Sequence, residues 1–324
     1  MNHPYDSLTP DCVVDCLESI GFVCDLRLLE LNSYENRVYQ VGVEGAQPII
    51  MKFYRHGRWT DAQILEEHSF ARELVDHEIS VVAPMRVSDK TLHHAHGQRR
   101  SVFERRGGYP PELDNPDHLY RLGQTLGRIH RIGRAKPFLH RRDISSKRMA
   151  TESRVFLEEQ AVPRELMNAY STLAKDCEQT AASLLSTMTK RDMQRVHGDC
   201  HTGNILWRDE TPHFVDLDDC VSGPAIQDIW MFLSGDRFQQ ERQLSEFVSG
   251  YEEFHEFDSR QLAWIEALRT LRIMHHAFWL ASRWDDPAFP RAFPWFGQAR
   301  FWSDHILELR EQLGVMQEPT LRLL

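Results

Sequence analysis

Residues Arg195–Trp207 read RVHGDCHTGNILW, and His213–Asp219 read HFVDLDD. Three side chains in these strings, Asp199, Asn204 and Asp216, stand in an order that suits phosphoryl transfer. That chemistry needs positioning and charge neutralisation more than covalent help. Asp199 is placed to accept the proton of an attacking hydroxyl. Asn204, five positions on, offers a neutral amide oxygen of the hard kind that Mg²⁺ demands. Asp216 follows the apolar pair Phe214 and Val215, which reads as a short buried strand delivering a carboxylate at its end. A loop-capping Asp or a turn-forming Asn explains each residue by itself but not the three together.

His197 and His201 bracket Asp199 and raise the question of zinc. Zinc sites need a further Cys or His at matched spacing, and Cys200 lies between the two with poor geometry, so a backbone-bracing role fits better. Asp218 and Asp219 leave three readings open: a second cation, a cationic acceptor, or hydrogen bonds within the loop. His140-Arg141-Arg142-Asp143 resembles a second catalytic HRD, but Arg148 rather than Asn stands five positions beyond Asp143. It reads as a solvated basic patch before a helix.

Upstream, Thr9-Pro10-Asp11 opens a short helix that Gly21 closes. LRLLEL, RVYQV and PIIMKFY then alternate as strands of an antiparallel meander, with turns NSYEN and EGAQ between them. Ile64–Asp76 has helical period, and VVAPMRV and RRSVFER continue the sheet. Lys52 sits in the third strand on a face that is otherwise apolar, so its ammonium needs anions. A nucleotide's phosphates and a helix Glu would supply them; Glu67 is the candidate, with Glu66 beside it. No glycine-rich phosphate loop is present. Ser33, in the turn Asn32–Asn36, is the best phosphate donor there. ERRGGYPP at Glu104–Pro111 interrupts all periodicity and marks a hinge; beyond it His118–Arg134, Ser153–Thr189 and two later segments have helical period.

The chain has 324 residues and a formal charge of −10, with Lys and Arg interspersed among acids. This speaks against nucleic acid or an anionic membrane as partner. No run approaches the roughly 18 apolar residues of a membrane span, and the N-terminal MNHPYDSLTPDC lacks signal-peptide character, so a cytoplasmic protein is expected. The six cysteines show no C-x-x-C and read as reduced thiols.

HGDCHTGN and DLD resemble the H-G-D-x-x-x-x-N and D-x-D motifs of the aminoglycoside phosphotransferase and choline kinase superfamily. NSYENRVYQV, KFYR, QILEEH, GNILWRD, FVDLDD and RW-x-DPAFP resemble, in combination, the bacterial stress response kinase A family along essentially the whole chain. The resemblance implies an α+β, bilobal protein-kinase-like fold: residues 1–104 a nucleotide-binding lobe with an antiparallel sheet and a helix, residues 105–324 a mostly helical catalytic and substrate lobe. It implies an ATP- and Mg²⁺-dependent serine/threonine protein kinase of the cytoplasm that also phosphorylates itself, a phosphoprotein of the stress response, expected to act as a monomer. By position, Asp199 is the proton acceptor, Asn204 and Asp216 the Mg²⁺ ligands, Ser33, Lys52 and Glu67 the ATP contacts, and Asp228 a brace for the catalytic loop. Only a short stretch separates Asp216 from Asp228, with no A-P-E and no long activation segment. That departure keeps a small-molecule kinase of the same fold in play, and a nucleotide-sensing pseudokinase is a further alternative. Trp264, His275, His276, Trp279 and Trp284 read mainly as core, with acceptor contact as the alternative.

Overall fold

The computed structural model describes residues 4–324. The first helix, α1 (Pro10–Glu18), starts where Thr9 accepts the Cys12 N–H at 3.3 Å and Pro10 occupies the first turn. Five antiparallel strands follow, interrupted by one helix: β1 (Cys24–Leu31), β2 (Arg37–Val43), β3 (Ile49–Phe53), α2 (Asp61–Asp76), β4 (His93–Ala95) and β5 (Gln98–Glu104), paired in the order β1-β2-β3-β5-β4. The expected meander is present. VVAPMRV is not a strand of this sheet, however: its pairings are isolated bridges, Val81 to Phe214 and Pro84 to Phe103 among them. Pro84 has no N–H for a ladder, so pairing cannot propagate through it.

The two faces of the sheet differ in chemistry because strand side chains alternate. Tyr39, Val41, Val43, Ile49, Met51, Phe53 and Val102 form an apolar core with Val13, Cys16 and Leu17 of α1. Arg100 closes this layer by donating to the Cys16 carbonyl (2.9 Å) and Ser19 Oγ (2.7 Å) at the end of α1, where a cation is favoured. Lys52 and Ser101, neighbours across β3 and β5, are buried out of step with that core.

After Glu104 the chain runs without regular structure to α3 (Pro116–Ala135), capped by Asn115. Then come α4 (Ser153–Gln160) and α5 (Met167–Leu185), short strands β6 (Gln194–Val196), β7 (Ile205–Arg208), β8 (Thr211–Phe214) and β9 (Val221–Gly223), and helices α6 (Ile226–Ile229), α7 (Arg237–Tyr251), α8 (Ile265–Ser282), α9 (Ala288–Ala292) and α10 (Ala299–Val315). The expected continuous helix over Ser153–Thr189 is broken between α4 and α5, where Pro163 removes a donor. Where α3 meets the end of α7, a Cβ on Gly123 would lie 2.0 Å from the Phe247 carbonyl. Only glycine admits that approach.

The chain packs as two compact units. One comprises the chain up to Arg142 with Arg195–Val221 and Glu246–Glu256; the other holds Asp143–Gln194, Ser222–Ser245 and Phe257–Leu324. In the second unit Trp264 is buried core, whereas His275, Trp279 and Trp284 are part-exposed and lie in a chain of ring contacts with Phe278, Phe289 and Phe296. No helix among the described residues is long and apolar enough to cross a membrane.

Candidate active site

Lys52 belongs to the central strand β3, flanked by Val38 on β2 and Ser101 on β5. Only 6% of it is exposed. Its Nζ stands 2.7 Å from Asp216 Oδ1 and 3.5 Å from Asp218 Oδ1. Burial opposes its charge, but Asp216, Asp218 and Glu67 outweigh burial and hold its pKa well above the ordinary lysine range. Lys52 is therefore a buried residue of an interior strand, not an exposed one at an edge.

Of the two candidate glutamates, Glu67 faces the buried charges. It is 2% exposed, and burial, opposed by Lys52 and Arg141, pushes its carboxyl up to about 7. No ion pair joins it directly to Lys52, whose close partners are Asp216 and Asp218, and its Oε2 lacks a hydrogen-bond partner. Glu66 turns elsewhere. Its carboxylate accepts the backbone N–H groups of Leu139 (2.5 Å), His140 (2.8 Å) and Arg141 (2.7 Å).

That contact corrects the reading of His140–Asp143 as a solvated basic patch. His140, Arg142 and Asp143 are exposed, but Arg141 is only 5% exposed. It donates from Nε to the Cys220 carbonyl at 2.8 Å and from Nη2 to the Asp218 carbonyl, and its guanidinium lies 4.0 Å from the Trp59 ring centroid. Arg141 is a buried strut under the Asp216–Cys220 segment.

Asp218, left open in the sequence, is as enclosed as Glu67, at 2% exposure. Arg58 donates to its carboxylate, and Asn36 Nδ2 donates to it at 3.1 Å while Asn36 Oδ1 accepts the Arg55 N–H. Burial alone would raise its pKa; Lys52, Arg58 and Arg141 together overcome burial and hold it well below the usual carboxylate range. Asp219 pairs with the other arm of Arg58. Asn36 and Arg141 stand in strings the sequence singles out, but their role around Asp218, like that of Arg58, is revealed only by proximity in the fold.

The catalytic-loop candidate leaves β6 at His197, whose Nε2 donates to the Val215 carbonyl at 2.9 Å. The histidine ties the loop to the residue before Asp216, as a brace would. Gly198 has φ +85, and a Cβ there would stand 2.2 Å from the Asp219 carbonyl, so both conformation and space exclude other residues. The Asp199 side chain is 25% exposed with its Oδ2 3.5 Å from His201 Nε2. Asn204 Nδ2 donates to the Asp199 carbonyl at 2.9 Å, so its oxygen is the end left for a ligand. Ile205 pairs with Phe214 across the β7–β8 hairpin, and the Val215 N–H donates to the Asn204 carbonyl at 3.0 Å. Asn204 and Asp216 thus sit side by side at one end of the hairpin. Asp216 is held at φ 57, ψ 62, a left-handed conformation that costs a non-glycine residue on the order of 1–3 kcal/mol and clusters at functional sites. Its side chain is 50% exposed.

One amide oxygen and one half-exposed carboxylate fit Mg²⁺, which keeps waters and takes few protein ligands alongside substrate phosphates. They do not fit zinc: among the described residues no group of three or more His, Cys, Asp or Glu gathers as a metal cluster. Ser33 lies half-buried in the turn between β1 and β2, and no hydrogen bond ties it to Lys52, Asn204 or Asp216. Cys200 and Cys220 are buried free thiols, and burial pushes Cys220 up to about 12. Asp228 is fully buried in α6 of the second unit.

The family model described as "Phosphotransferase enzyme family" (APH) matches residues 27–304. The chain belongs to this phosphotransferase family. Within it, the chain is 43% identical over 319 residues to stress response kinase A of Escherichia coli O157:H7, covering 98% of this chain and 97% of that one. It is 42% identical over 321 residues to the serine/threonine protein kinase RdoA of Salmonella typhimurium, with the same coverage. Among solved structures, an amicoumacin kinase in complex with AMP-PNP, Ca²⁺ and Ami superposes with a TM-score of 0.75 at 21% identity, covering 95% of this chain and 93% of that one. A microcompartment-associated aminopropanol kinase gives 0.72 at 16% identity, covering 97% and 100%. The fold is α+β and protein-kinase-like, and the family assignment makes the chain a phosphotransferase.

Proposed function

We propose that this chain transfers the γ-phosphoryl group of ATP to Ser or Thr hydroxyls of proteins, itself included, as a cytoplasmic, monomeric kinase of the bacterial stress response. The observation that carries the reading is the convergence of Lys52, Asn204 and Asp216, from three separate stretches of sequence, around one hairpin end. Relatives above 40% identity that are named stress response kinase A and serine/threonine protein kinase support the choice of acceptor.

In this reading residues 1–104 bind the nucleotide and residues 105–324 supply the catalytic loop and the acceptor region. Lys52, kept charged by its acids, holds the phosphates, Glu67 backs it, and Ser33 donates from the β1–β2 turn. Asn204 and Asp216 would hold Mg²⁺, which when bound neutralises charge on the phosphates. Asp199 orients the acceptor hydroxyl and takes its proton as the new P–O bond forms and the bond to ADP breaks.

Incubation with labelled ATP, alone and with candidate proteins, tests this. Label on Ser or Thr of protein is expected; turnover with small alcohols only would overturn the choice of acceptor. One observation favours that second reading, a small-molecule kinase: between Asp216 and Asp228 lie only a single 3-10 turn (Leu217–Asp219) and β9, leaving no activation segment to receive a peptide. If Asp199→Ala left transfer intact, a nucleotide-sensing pseudokinase with adventitious turnover would replace both.

A further inference from the structure

We propose that a cavity on the outer face of α2 binds a phosphomonoester-type dianion, either a phosphorylated side chain or free phosphate. The cavity measures about 470 Å³ and is walled by α2, by Arg86 from the irregular segment after it, and by Lys136 at the end of α3. Leu65, Arg72 and Asp76 lie on one stripe of α2, and at 100° per residue Glu67 projects from the opposite side. The cavity is therefore separate from the Lys52 site, with the helix between them.

Charge makes it an anion site. Arg72 and Arg86 form no ion pair among the described residues. Glu73, one of two carboxylates in the lining, is already shared between Arg195 Nη1 (2.8 Å) and Lys136 Nζ (3.0 Å). Asp76 is left as the only other acid, exposed. Two unpaired guanidiniums supply the positive charge and N–H donors that a phosphate dianion, about −1.5 to −2 near neutral pH, requires.

The floor of the cavity reaches the Lys52 layer through neutral hydrogen bonds. Thr91 and His68 both line it. His68, 1% exposed, places Nδ1 2.9 Å from Thr91 Oγ1 and Nε2 2.7 Å from the Tyr54 hydroxyl. The Tyr54 ring centroid is 5.4 Å from Lys52 Nζ. An anion drawing in Thr91 and the outer face of α2 thus acts on the helix that carries Glu67. This consequence rests on the phosphotransfer reading; binding itself does not.

Calorimetric titration of the full chain with inorganic phosphate and with a phosphoserine peptide, each in saturating ADP, tests the site. Both the unmodified chain and Arg72→Gln/Arg86→Gln are measured, with thermal midpoints of the ligand-free proteins as the folding control. The double variant is expected to fold normally, keep its ADP affinity and bind the preferred probe at least tenfold more weakly. A peptide preference above tenfold makes a phosphorylated side chain the occupant; otherwise free phosphate is. Equal affinity in the two proteins, no binding of either probe to the unmodified chain, or a parallel loss of ADP affinity that would place the bound phosphate at Lys52 overturns the proposal. The ADP control separates this outcome from failure of the catalytic reading, which Asp199→Ala addresses alone.

Discussion

His140–Asp143 and His197–Asp199 resemble each other as strings and stand in opposite surroundings. In the first, the middle arginine is buried and the backbone N–H groups around it are fastened by Glu66, while the aspartate faces solvent. In the second, the histidine is buried against Val215, the glycine passes under Asp219, and the aspartate lies part-exposed beside Asn204. The difference shows that a His followed closely by an Asp acquires meaning from what it is fastened to. The first loop fastens the segment against which the second packs: Arg141 grips the Asp218 and Cys220 carbonyls, and Gly198 lies against the Asp219 carbonyl.

The largest expected separation between the two loops is catalytic. Asp199→Ala should lower phosphoryl transfer by about 10³-fold, within the usual range for a lost general base, while Asp143→Ala leaves it within about twofold. Steady-state rates on the same acceptor check this, and equal losses at both positions would erase the distinction. Next comes stability. Arg141→Met strips a guanidinium from Asp218 and orphans two carbonyls, and should cost about 3–5 kcal/mol in denaturant unfolding; Arg142→Met, exposed, should stay within about 0.5 kcal/mol.

A smaller effect separates the two neighbouring glutamates. Glu67 has a folded pKa of about 7 against an ordinary value of 4.5, so the folded state binds the extra proton between them. Stability should therefore fall as pH rises from about 4.5 to about 7, by a few kcal/mol at most, and Glu67→Gln should flatten that slope in unfolding curves measured across the range. An unchanged slope would mean that Glu67 is not the group that titrates. Glu66→Ala should cost about 1–2 kcal/mol at neutral pH, because it leaves the Leu139, His140 and Arg141 backbone N–H groups without their acceptor.

Much of the site was legible because its chemistry leaves local marks. The strand period put Lys52 out of step with Ile49, Met51 and Phe53, and the apolar pair before Asp216 put that residue at a strand end. Glu67 against Glu66 could not be resolved from spacing: adjacent positions differ by 100° around the helix, and which side faces the sheet depends on where α2 docks. The VVAPMRV segment misled because its composition is strand-like while Pro84 forbids the ladder.

The sequence by itself determined the family and the order of the candidate residues Asp199, Asn204 and Asp216, since both reside in residue types at fixed separations along one chain. Only the tertiary structure decided that Asp218, rather than Glu67, joins Asp216 as a close partner of Lys52, and that Asn36, Arg58 and Arg141 enclose it. A buried charge must be matched in space, and the chain meets that demand with residues up to 182 positions apart, as Asn36 and Asp218 are. No local pattern can encode a pairing whose cause is shared exclusion from water.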